Sequence, residues 1–393
     1  MELAKRMGRL GTETAFEVLA RARALEAQGR DIIHLEIGEP DFDTPRNVVE
    51  AGADALLNGA THYTPSAGID DLRFAIANDQ KRRKGLDAHP ENVVVVPGGK
   101  PVMFYVMLAL LEEGDEVMYP DPGFPIYESM VNFMGATPVP IGFVEDGSVF
   151  RWEVDDLLNR VNDRTKLIIV NTPSNPAGCA VSTRDLERIA SSAVEHDAFV
   201  LSDEIYSRIL YDGEFVSLAT FPGMEERTCV LDGFSKTYAM TGWRLGYGVM
   251  PQWLAPHIAR LVTNCNSCTA TSTQMAGVEA LTGPQESVDQ MVREFRRRRD
   301  LVVAGLNRIE GVRCTTPQGA FYAFPNIEGT GMSSRGAADY LLNDAGIAVL
   351  AGTAFGARGE GYLRLSYANS YENLQLALDR MRAALESAVR VAT

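Results

Sequence analysis

The sequence has little of what marks secreted, membrane-bound or disulfide-stabilised proteins. Its 393 residues include five cysteines, an odd number scattered along the chain, so we expect no disulfide framework. It lacks the run of about 18 apolar residues that a membrane span needs, and no apolar core segment of a secretion signal follows the first residues. We therefore expect a cytoplasmic protein that has no contact with membranes.

Positive charge is also scarce. The chain carries 37 Lys and Arg against 52 Asp and Glu, a formal charge of −15, which should repel nucleic acids and anionic membranes. One basic run, Arg296 to Arg299, is followed by Asp300, and this pattern is typical of a solvated helix face or a salt-bridge cluster. Cys265 and Cys268 lack the second pair or nearby histidine of a zinc site, so we expect no metal.

Short β-rich runs alternate with helical patterns through the middle of the chain. The predicted strands cover residues 93–96, 116–119, 137–141, 167–170, 199–201, 229–231 and 246–250. Such alternation predicts an α/β fold with a large, doubly wound and mostly parallel sheet. In such sheets, ligands bind outside the carboxyl ends of the strands.

The pattern changes after Pro251. Long helices over about 270–281 and 285–308 precede short strands near 320–324, 347–349 and 361–366, and a closing helix starts at about 371. Another helix, over about 12–29, is placed to pack against this part. We predict an N-terminal segment (1–40) packed on the small domain, a large cofactor-binding domain (41–282) and a smaller α+β domain (283–393).

Lys236 is a candidate reactive amine. It follows Ser235 in a small, polar loop between the apolar residues Leu231 and Leu245. Burial disfavours the ammonium form and lowers the pKa, which leaves the free amine that imine formation with an aldehyde requires. Because a Ser-Lys pair alone is more typical of a surface loop, the interpretation depends on the motifs around it.

Six ordered motifs supply that context. They are Gly38-Glu39-Pro40-Asp41-Phe42, Tyr63-Thr64-Pro65-Ser66-Ala67-Gly68, Asn171-Thr172-Pro173-Ser174-Asn175-Pro176-Ala177-Gly178, Ser202-Asp203-Glu204-Ile205-Tyr206, Ser235-Lys236 through Arg244, and Arg364-Leu365-Ser366-Tyr367. Over residues 32–367 the sequence resembles the class I and II aminotransferases, which are fold type I pyridoxal-phosphate enzymes, and in particular their aspartate-aminotransferase-like branch. The resemblance implies bound pyridoxal 5'-phosphate and transfer of an amino group from an L-amino acid to a 2-oxo acid, with 2-oxoglutarate as the expected acceptor.

The resemblance also implies roles around the cofactor ring. Lys236 carries the cofactor and moves the proton during the reaction. Asp203 lies against the ring nitrogen and keeps it protonated, because the ring accepts electrons only in that state. Tyr206 and Asn175 hydrogen-bond the phenolic oxygen, and Phe124 stacks on the ring.

The phosphate requires a positive environment and several hydrogen-bond donors. Gly99 and Lys100 stand where a helix begins after a predicted strand, so their free N–H groups can face an anion. Ser235 and Arg244 match further phosphate positions, and a guanidinium can bind two oxygens at once. Tyr63 matches a position that, in the resembled family, belongs to the neighbouring subunit, which implies a homodimer with shared sites.

The substrate is the open question. Arg364 corresponds to the clamp for the α-carboxylate, with Gly38 and Asn175 beside it, and Lys100 favours an acidic side chain such as that of aspartate. However, Glu13, Ala15 and Phe16 stand where aspartate-specific relatives have small hydroxyl residues. Alanine, aromatic and branched-chain amino acids therefore remain alternatives, as does a C–S β-lyase that would use the same cofactor residues.

Overall fold

The computed structural model describes residues 2–392, and none of the helices in that range combines the length and hydropathy needed to span a bilayer. The helices are α1 Ala15–Glu26, α2 Arg46–Leu57, α3 Asp70–Lys84, α4 Lys100–Leu110, α5 Ile126–Met134, α6 Val154–Arg160, α7 Thr183–Glu195, α8 Ala255–Asn266, α9 Thr271–Thr282, α10 Glu286–Leu306, α11 Ser334–Tyr340 and α12 Tyr371–Ala392. The strands are β1 Ile33–His34, β2 Val93–Val96, β3 Glu116–Pro120, β4 Thr137–Ile141, β5 Phe143–Asp146, β6 Val149–Trp152, β7 Thr165–Asn171, β8 Phe199–Asp203, β9 Thr228–Gly233, β10 Gly246–Val249, β11 Tyr322–Ala323, β12 Ile347–Ala348, β13 Leu350–Ala351 and β14 Leu363–Ser366.

A seven-stranded sheet forms the centre, in the order β2-β10-β9-β8-β7-β3-β4. Strand β10 runs antiparallel to both of its neighbours, and the other strand pairs are parallel. The predicted mostly parallel α/β sheet is thus confirmed, and each predicted strand of this region lies within about two residues of an observed one.

Helices cover both faces of this sheet because both faces are apolar. In β2, Val94 and Val96 pack against α4, α5 and α8, while Val93 and Val95 pack against α2, α3 and α9 on the opposite face. Continuous apolar strands of this kind are typical of sheets buried on both sides. The carboxyl ends of β7, β8 and β9 are consequently the part of the sheet left open for a ligand.

A smaller layer contains the three-stranded sheet β11-β14-β13 and the helices α10, α11 and α12. The N-terminal segment joins it through β1, where Ile33 pairs with Ile347, and through a 2.7 Å ion pair between Arg21 and Asp339. Farther upstream, the amide of Gly11 contacts Ser129 of α5, so the segment also touches the central layer. The predicted boundaries at 40 and 282 remain predictions.

Two details differ from or refine the expectations. Helix α1 is shorter than predicted, because residues 11–13 lie outside regular structure and Gly29, at φ 85°, adopts the left-handed conformation beyond its end. The hairpin β5–β6 was not predicted at all.

The basic run on α10 forms the predicted salt-bridge cluster, since Arg298 contacts Asp41 at 2.7 Å and its neighbours in the run are also paired.

Candidate active site

A cavity of about 570 Å³ opens at the carboxyl ends of β7, β8 and β9, between the central sheet and the smaller layer. All the predicted site residues except Tyr63 line it: Gly38, Gly99, Lys100, Phe124, Asn175, Asp203, Tyr206, Ser235, Lys236, Arg244 and Arg364. Tyr63 lies elsewhere on the surface, with 87% of its area exposed. Residues far apart in sequence therefore meet where the parallel strands end.

Lys236 lies in the loop that follows β9 and points into the cavity. Its ammonium group donates a hydrogen bond to the carbonyl oxygen of Gly38. Burial, helped by the nearby cation of Arg364 and opposed by the carboxylate of Glu39, lowers the pKa of Lys236 to about 8. A substantial fraction of free amine is therefore present near pH 8, which is the form that attacks an aldehyde.

Asp203 is the last residue of β8 and is buried at the bottom of the cavity. Burial raises its pKa to about 6, and a 2.6 Å hydrogen bond donated by the Tyr127 hydroxyl opposes that shift. A buried carboxylate facing a cavity is stabilised by a cation. The protonated ring nitrogen of pyridoxal phosphate is such a cation, so Asp203 fits the cofactor that the resemblance implies.

The adjacent carboxylate, Glu204, has a different environment. Its side chain is fully buried, and its carboxylate forms a 2.7 Å ion pair with the Lys84 ammonium. The same ammonium lies 2.8 Å from the carboxylate of Asp232. Hydroxyls of Ser202 and Ser217 donate to its other oxygen. Of the two neighbouring acids, only Asp203 is therefore left to face the cavity.

An anion-binding corner lies on the side of the cavity next to β2. Helix α4 begins at Lys100, directly after Gly98 and Gly99, so unpaired N–H groups and the positive end of the helix dipole face the cavity. A Cβ atom at Gly98 would lie 2.0 Å from the guanidinium of Arg244, which explains the glycine. With the Ser235 hydroxyl in the same lining, this corner fits a phosphate group.

Arg364 projects from β14 and is buried between the rings of Tyr322 and Phe355, whose centroids lie 4.5 and 4.8 Å from the guanidinium carbon. It donates to the Asn175 side-chain oxygen at 3.3 Å and to the carbonyl oxygen of Glu36. Among the described residues its Nε has no hydrogen-bond partner. A buried, incompletely paired guanidinium on a cavity wall suits a carboxylate ligand.

The structure adds residues that the sequence did not single out. Tyr127 contacts Asp203 as described, and the hydroxyl of Tyr322 lies 2.8 Å from that of Tyr206. A Cβ atom at Gly38 would lie 2.3 Å from the Tyr322 hydroxyl, so this glycine makes room for that ring. No local signal marked either tyrosine, because each partner is many tens of residues away in sequence.

We call Asp203, Tyr206 and Lys236 the floor of the cavity, and Glu13, Phe16 and Lys100 its mouth. At the mouth, the Lys100 ammonium contacts the Glu13 carboxylate and lies 5.3 Å from the centroid of the Phe124 ring. Phe16 is 62% exposed there. The positions at which the sequence departs from aspartate-specific relatives thus surround the entrance.

Comparison with known proteins agrees with this geometry. Residues 30–381 match the family described as aminotransferase class I and II. The aromatic-amino-acid aminotransferase 2 of Thermococcus litoralis is 43% identical over 365 residues, covering 92% of this chain and 93% of that protein. The aspartate aminotransferase of Pyrococcus abyssi is 42% identical over 360 residues, covering 91% and 92%.

Solved structures give the same result. The aspartate aminotransferase from Thermus thermophilus with maleate superposes with a TM-score of 0.93 at 38% identity, covering 98% of this chain and all of that one. The predicted family, fold and cofactor dependence are thereby confirmed. The chain belongs to the class I and II aminotransferases and is a pyridoxal-phosphate-dependent transaminase.

Proposed function

We propose that this transaminase moves the amino group of an L-amino acid to 2-oxoglutarate at the cavity described above, with the cofactor carried on Lys236. The observation that carries the assignment is that Lys236, Asp203 and Arg364 share one cavity. An amine of lowered pKa, an isolated buried carboxylate and a buried guanidinium are the three charged groups that the reaction needs.

Bound pyridoxal phosphate supplies an aldehyde and a protonated ring that accepts the electron pair of the substrate carbon. Asp203 would hold the proton on the ring nitrogen. Tyr206 and Asn175 would donate to the ring oxygen, and Phe124 would pack against the ring face. Gly99, Lys100, Ser235 and Arg244 would hold the phosphate through backbone N–H groups, a hydroxyl and a guanidinium.

Arg364 orients the substrate by binding both oxygens of its α-carboxylate, with Gly38 and Asn175 beside it. Fixing the carboxylate fixes the direction of the Cα–H bond toward Lys236. With the cofactor bound, the free amine of Lys236 would be the group that moves this proton, which it would accept and release on Nζ. The pKa of about 8 keeps enough amine unprotonated for this shuttle near neutral pH.

We further propose a cytoplasmic homodimer in which the partner's Tyr63 completes each phosphate site. Tyr63 is 87% exposed and does not line the cavity of its own chain, which supports a role at a second copy. Large exposed aromatic side chains of this kind are common in protein interfaces.

For the amino donor we favour an acidic amino acid such as aspartate. Lys100 supplies a cation at the mouth, and the Pyrococcus abyssi relative is named an aspartate aminotransferase. The Thermococcus litoralis relative is named for aromatic amino acids, so aromatic donors are the second candidate, followed by alanine and branched-chain amino acids.

A donor panel against 2-oxoglutarate tests the assignment. Each L-amino acid is incubated with the holoenzyme, and glutamate is quantified together with the matching 2-oxo acid. Equal amounts of both products identify transamination and rank the donors. Release of pyruvate and ammonia without glutamate would instead identify a β-lyase, and the proposed function would be wrong.

A further inference from the structure

Of the three described residues that we call the mouth, only Lys100 is a cation, and the carboxylate of Glu13 neutralises it. We propose that Glu13 is an exchangeable counter-ion of Lys100, which lets one pocket accept both acidic and uncharged substrate side chains. This inference rests on the proposed transaminase function and adds how the site selects its substrates. It makes Glu13 a specificity-determining residue.

The pair links two separate parts of the chain. Lys100 is the first residue of α4 in the central layer, whereas Glu13 lies in the N-terminal segment just before α1. The Lys100 side chain is 49% exposed and that of Glu13 is 18% exposed. Both line the cavity, so the ion pair stands at the border between the substrate space and solvent.

With the pair closed, the pocket suits an uncharged side chain. The lining of the same cavity also includes a set of apolar side chains: Ala15, Phe16, Ile37, Met103 and Phe124. An apolar substrate placed beside an unpaired ammonium would strip water from that cation at a cost in free energy. Because Glu13 already pairs with Lys100, binding of the substrate adds no unpaired charge to the cavity.

With an acidic substrate, one carboxylate replaces another on Lys100. The distal carboxylate of the substrate pairs with the Lys100 ammonium, and the Glu13 side chain rotates outward into water. Residues 11–13 lie outside regular structure, so this rotation breaks no helix or strand. Partly exposed ion pairs contribute little to stability, and the exchange therefore has a small free-energy cost.

Glu13 also acts on the floor of the cavity. Burial lowers the pKa values of Lys236 and Arg364, and the Glu13 carboxylate opposes both shifts. A chain without this carboxylate would hold a larger excess of positively charged side chains in the cavity lining. That excess would favour dicarboxylates and disfavour uncharged donors, so the presence of Glu13 broadens the range of substrates.

The substitution Glu13→Gln tests the proposal, with Glu17→Gln as the matched control. Glu17 undergoes the same change in charge one helical turn later, but it is exposed and does not line the cavity. In the holoenzyme, Glu13→Gln should lower KM for aspartate about three- to tenfold and raise KM for phenylalanine and alanine by a similar factor. We expect kcat for both classes to stay within about twofold, because the substitution does not touch the reacting atoms.

A double-mutant cycle separates the ion pair from a general effect on the protein. In a Lys100→Gln background, Glu13→Gln should no longer change the ratio of KM values. Binding of succinate, measured by calorimetry on the holoenzyme, should tighten in Glu13→Gln and weaken in Lys100→Gln without any turnover.

Two results would overturn the proposal: an unchanged ratio of the KM values for the two substrate classes, or a change in that ratio that persists without Lys100. Each of these presupposes a wild-type enzyme that transaminates some donor. If the wild type transaminated no donor but Glu13→Gln still bound succinate more tightly than the wild type, the proposed function would be wrong. The role of Glu13 would then still be supported.

Discussion

The floor and the mouth of the cavity are built in opposite ways. At the floor, Asp203 and Tyr206 are buried where a strand of the central sheet ends, and burial shifts the pKa values of Asp203 and Lys236 toward neutrality. At the mouth, Glu13 and Lys100 come from two different layers and remain partly exposed to solvent. Reactivity is thus produced by removing water from charges, whereas selectivity depends on a charge that water can still reach.

This difference makes a general prediction about kinetics. Substitutions at the floor act on groups to which we assign contacts with the cofactor ring or proton transfer, and they should mainly lower kcat. Substitutions at the mouth alter contacts with the substrate side chain and should mainly change KM. Arg364 is intermediate between the two regions, because it is as buried as the floor but its proposed role is to bind substrate without taking part in proton transfer.

The largest expected effect is at Lys236. Lys236→Ala removes both the cofactor-binding amine and the proton carrier, so kcat should fall by at least about 10⁴-fold. The near-visible absorbance of the bound cofactor should be lost as well. The exposed lysine of β7 gives the control Lys166→Ala, which should retain full activity. Undiminished turnover in Lys236→Ala would contradict the whole assignment.

Asp203 should show a conflict between function and stability. Its pKa is about 6 in the folded chain against 3.8 for a free aspartate, so between these values the folded state binds more protons and stability falls as the pH rises. Asp203→Asn carries no charge and avoids this loss. We expect the apoprotein at pH 8 to gain about 2–3 kcal/mol in unfolding free energy, while kcat drops about 10³-fold.

Urea unfolding of the apoprotein at pH 5 and pH 8 measures that effect. The stabilisation by Asp203→Asn should be clear at pH 8 and smaller at pH 5, and added pyridoxal phosphate should stabilise the wild type more than the variant. A variant that is less stable than the wild type at pH 8 would show that the Asp203 carboxylate is well compensated in the absence of the cofactor.

Arg364 should show a smaller effect, confined to binding. Arg364→Lys keeps the positive charge but cannot bind a carboxylate with two parallel hydrogen bonds. Loss of one charged hydrogen bond corresponds to an increase in KM of about 10²-fold for every amino donor, acidic or not. Arg358→Lys, an exposed arginine outside the cavity lining, is the control. An increase restricted to acidic donors would place Arg364 at the side-chain end of the substrate instead.

The sequence predicted the floor far better than the mouth, and the reason is physical. Asp203 and Lys236 follow strands whose apolar runs are visible in the sequence, and the carboxyl ends of parallel strands meet at one edge. The family resemblance of the motifs singled out these residues, and the sheet topology explains why they meet in one place. The same holds for Gly99, because the glycines and the start of a helix are adjacent in sequence.

Some contacts could not be predicted from the sequence, because they join residues that share no local pattern. Tyr127 reaches Asp203 across 76 positions, and Tyr322 reaches Tyr206 across 116. Glu13 was expected near the pocket for the substrate side chain, but its pairing with Lys100 depends on where the N-terminal segment crosses α5. The β5–β6 hairpin was missed because it is short and lies outside both main sheets.

The smallest expected effect is at Tyr63, which lies neither at the floor nor at the mouth of the cavity of its own chain. Tyr63→Phe removes one hydroxyl donor from the proposed phosphate site of the second copy. Pyridoxal phosphate should therefore bind about tenfold more weakly, which equilibrium titration of the apoprotein measures. Turnover at saturating cofactor should be nearly unchanged, since the hydroxyl does not contact the reacting atoms.

Mixed dimers decide whether the site is shared. A Lys236→Ala chain and a Tyr63→Ala chain each form impaired sites alone, but in a mixed dimer the chain that retains Lys236 receives an intact Tyr63 from its partner. One of the two sites is then complete, so unfolding and refolding the two variants together should raise activity, measured at limiting pyridoxal phosphate, above that of either variant alone. If Tyr63 instead served its own chain, the mixture would give only the average of the two variants, and the phosphate site would be complete within a single subunit.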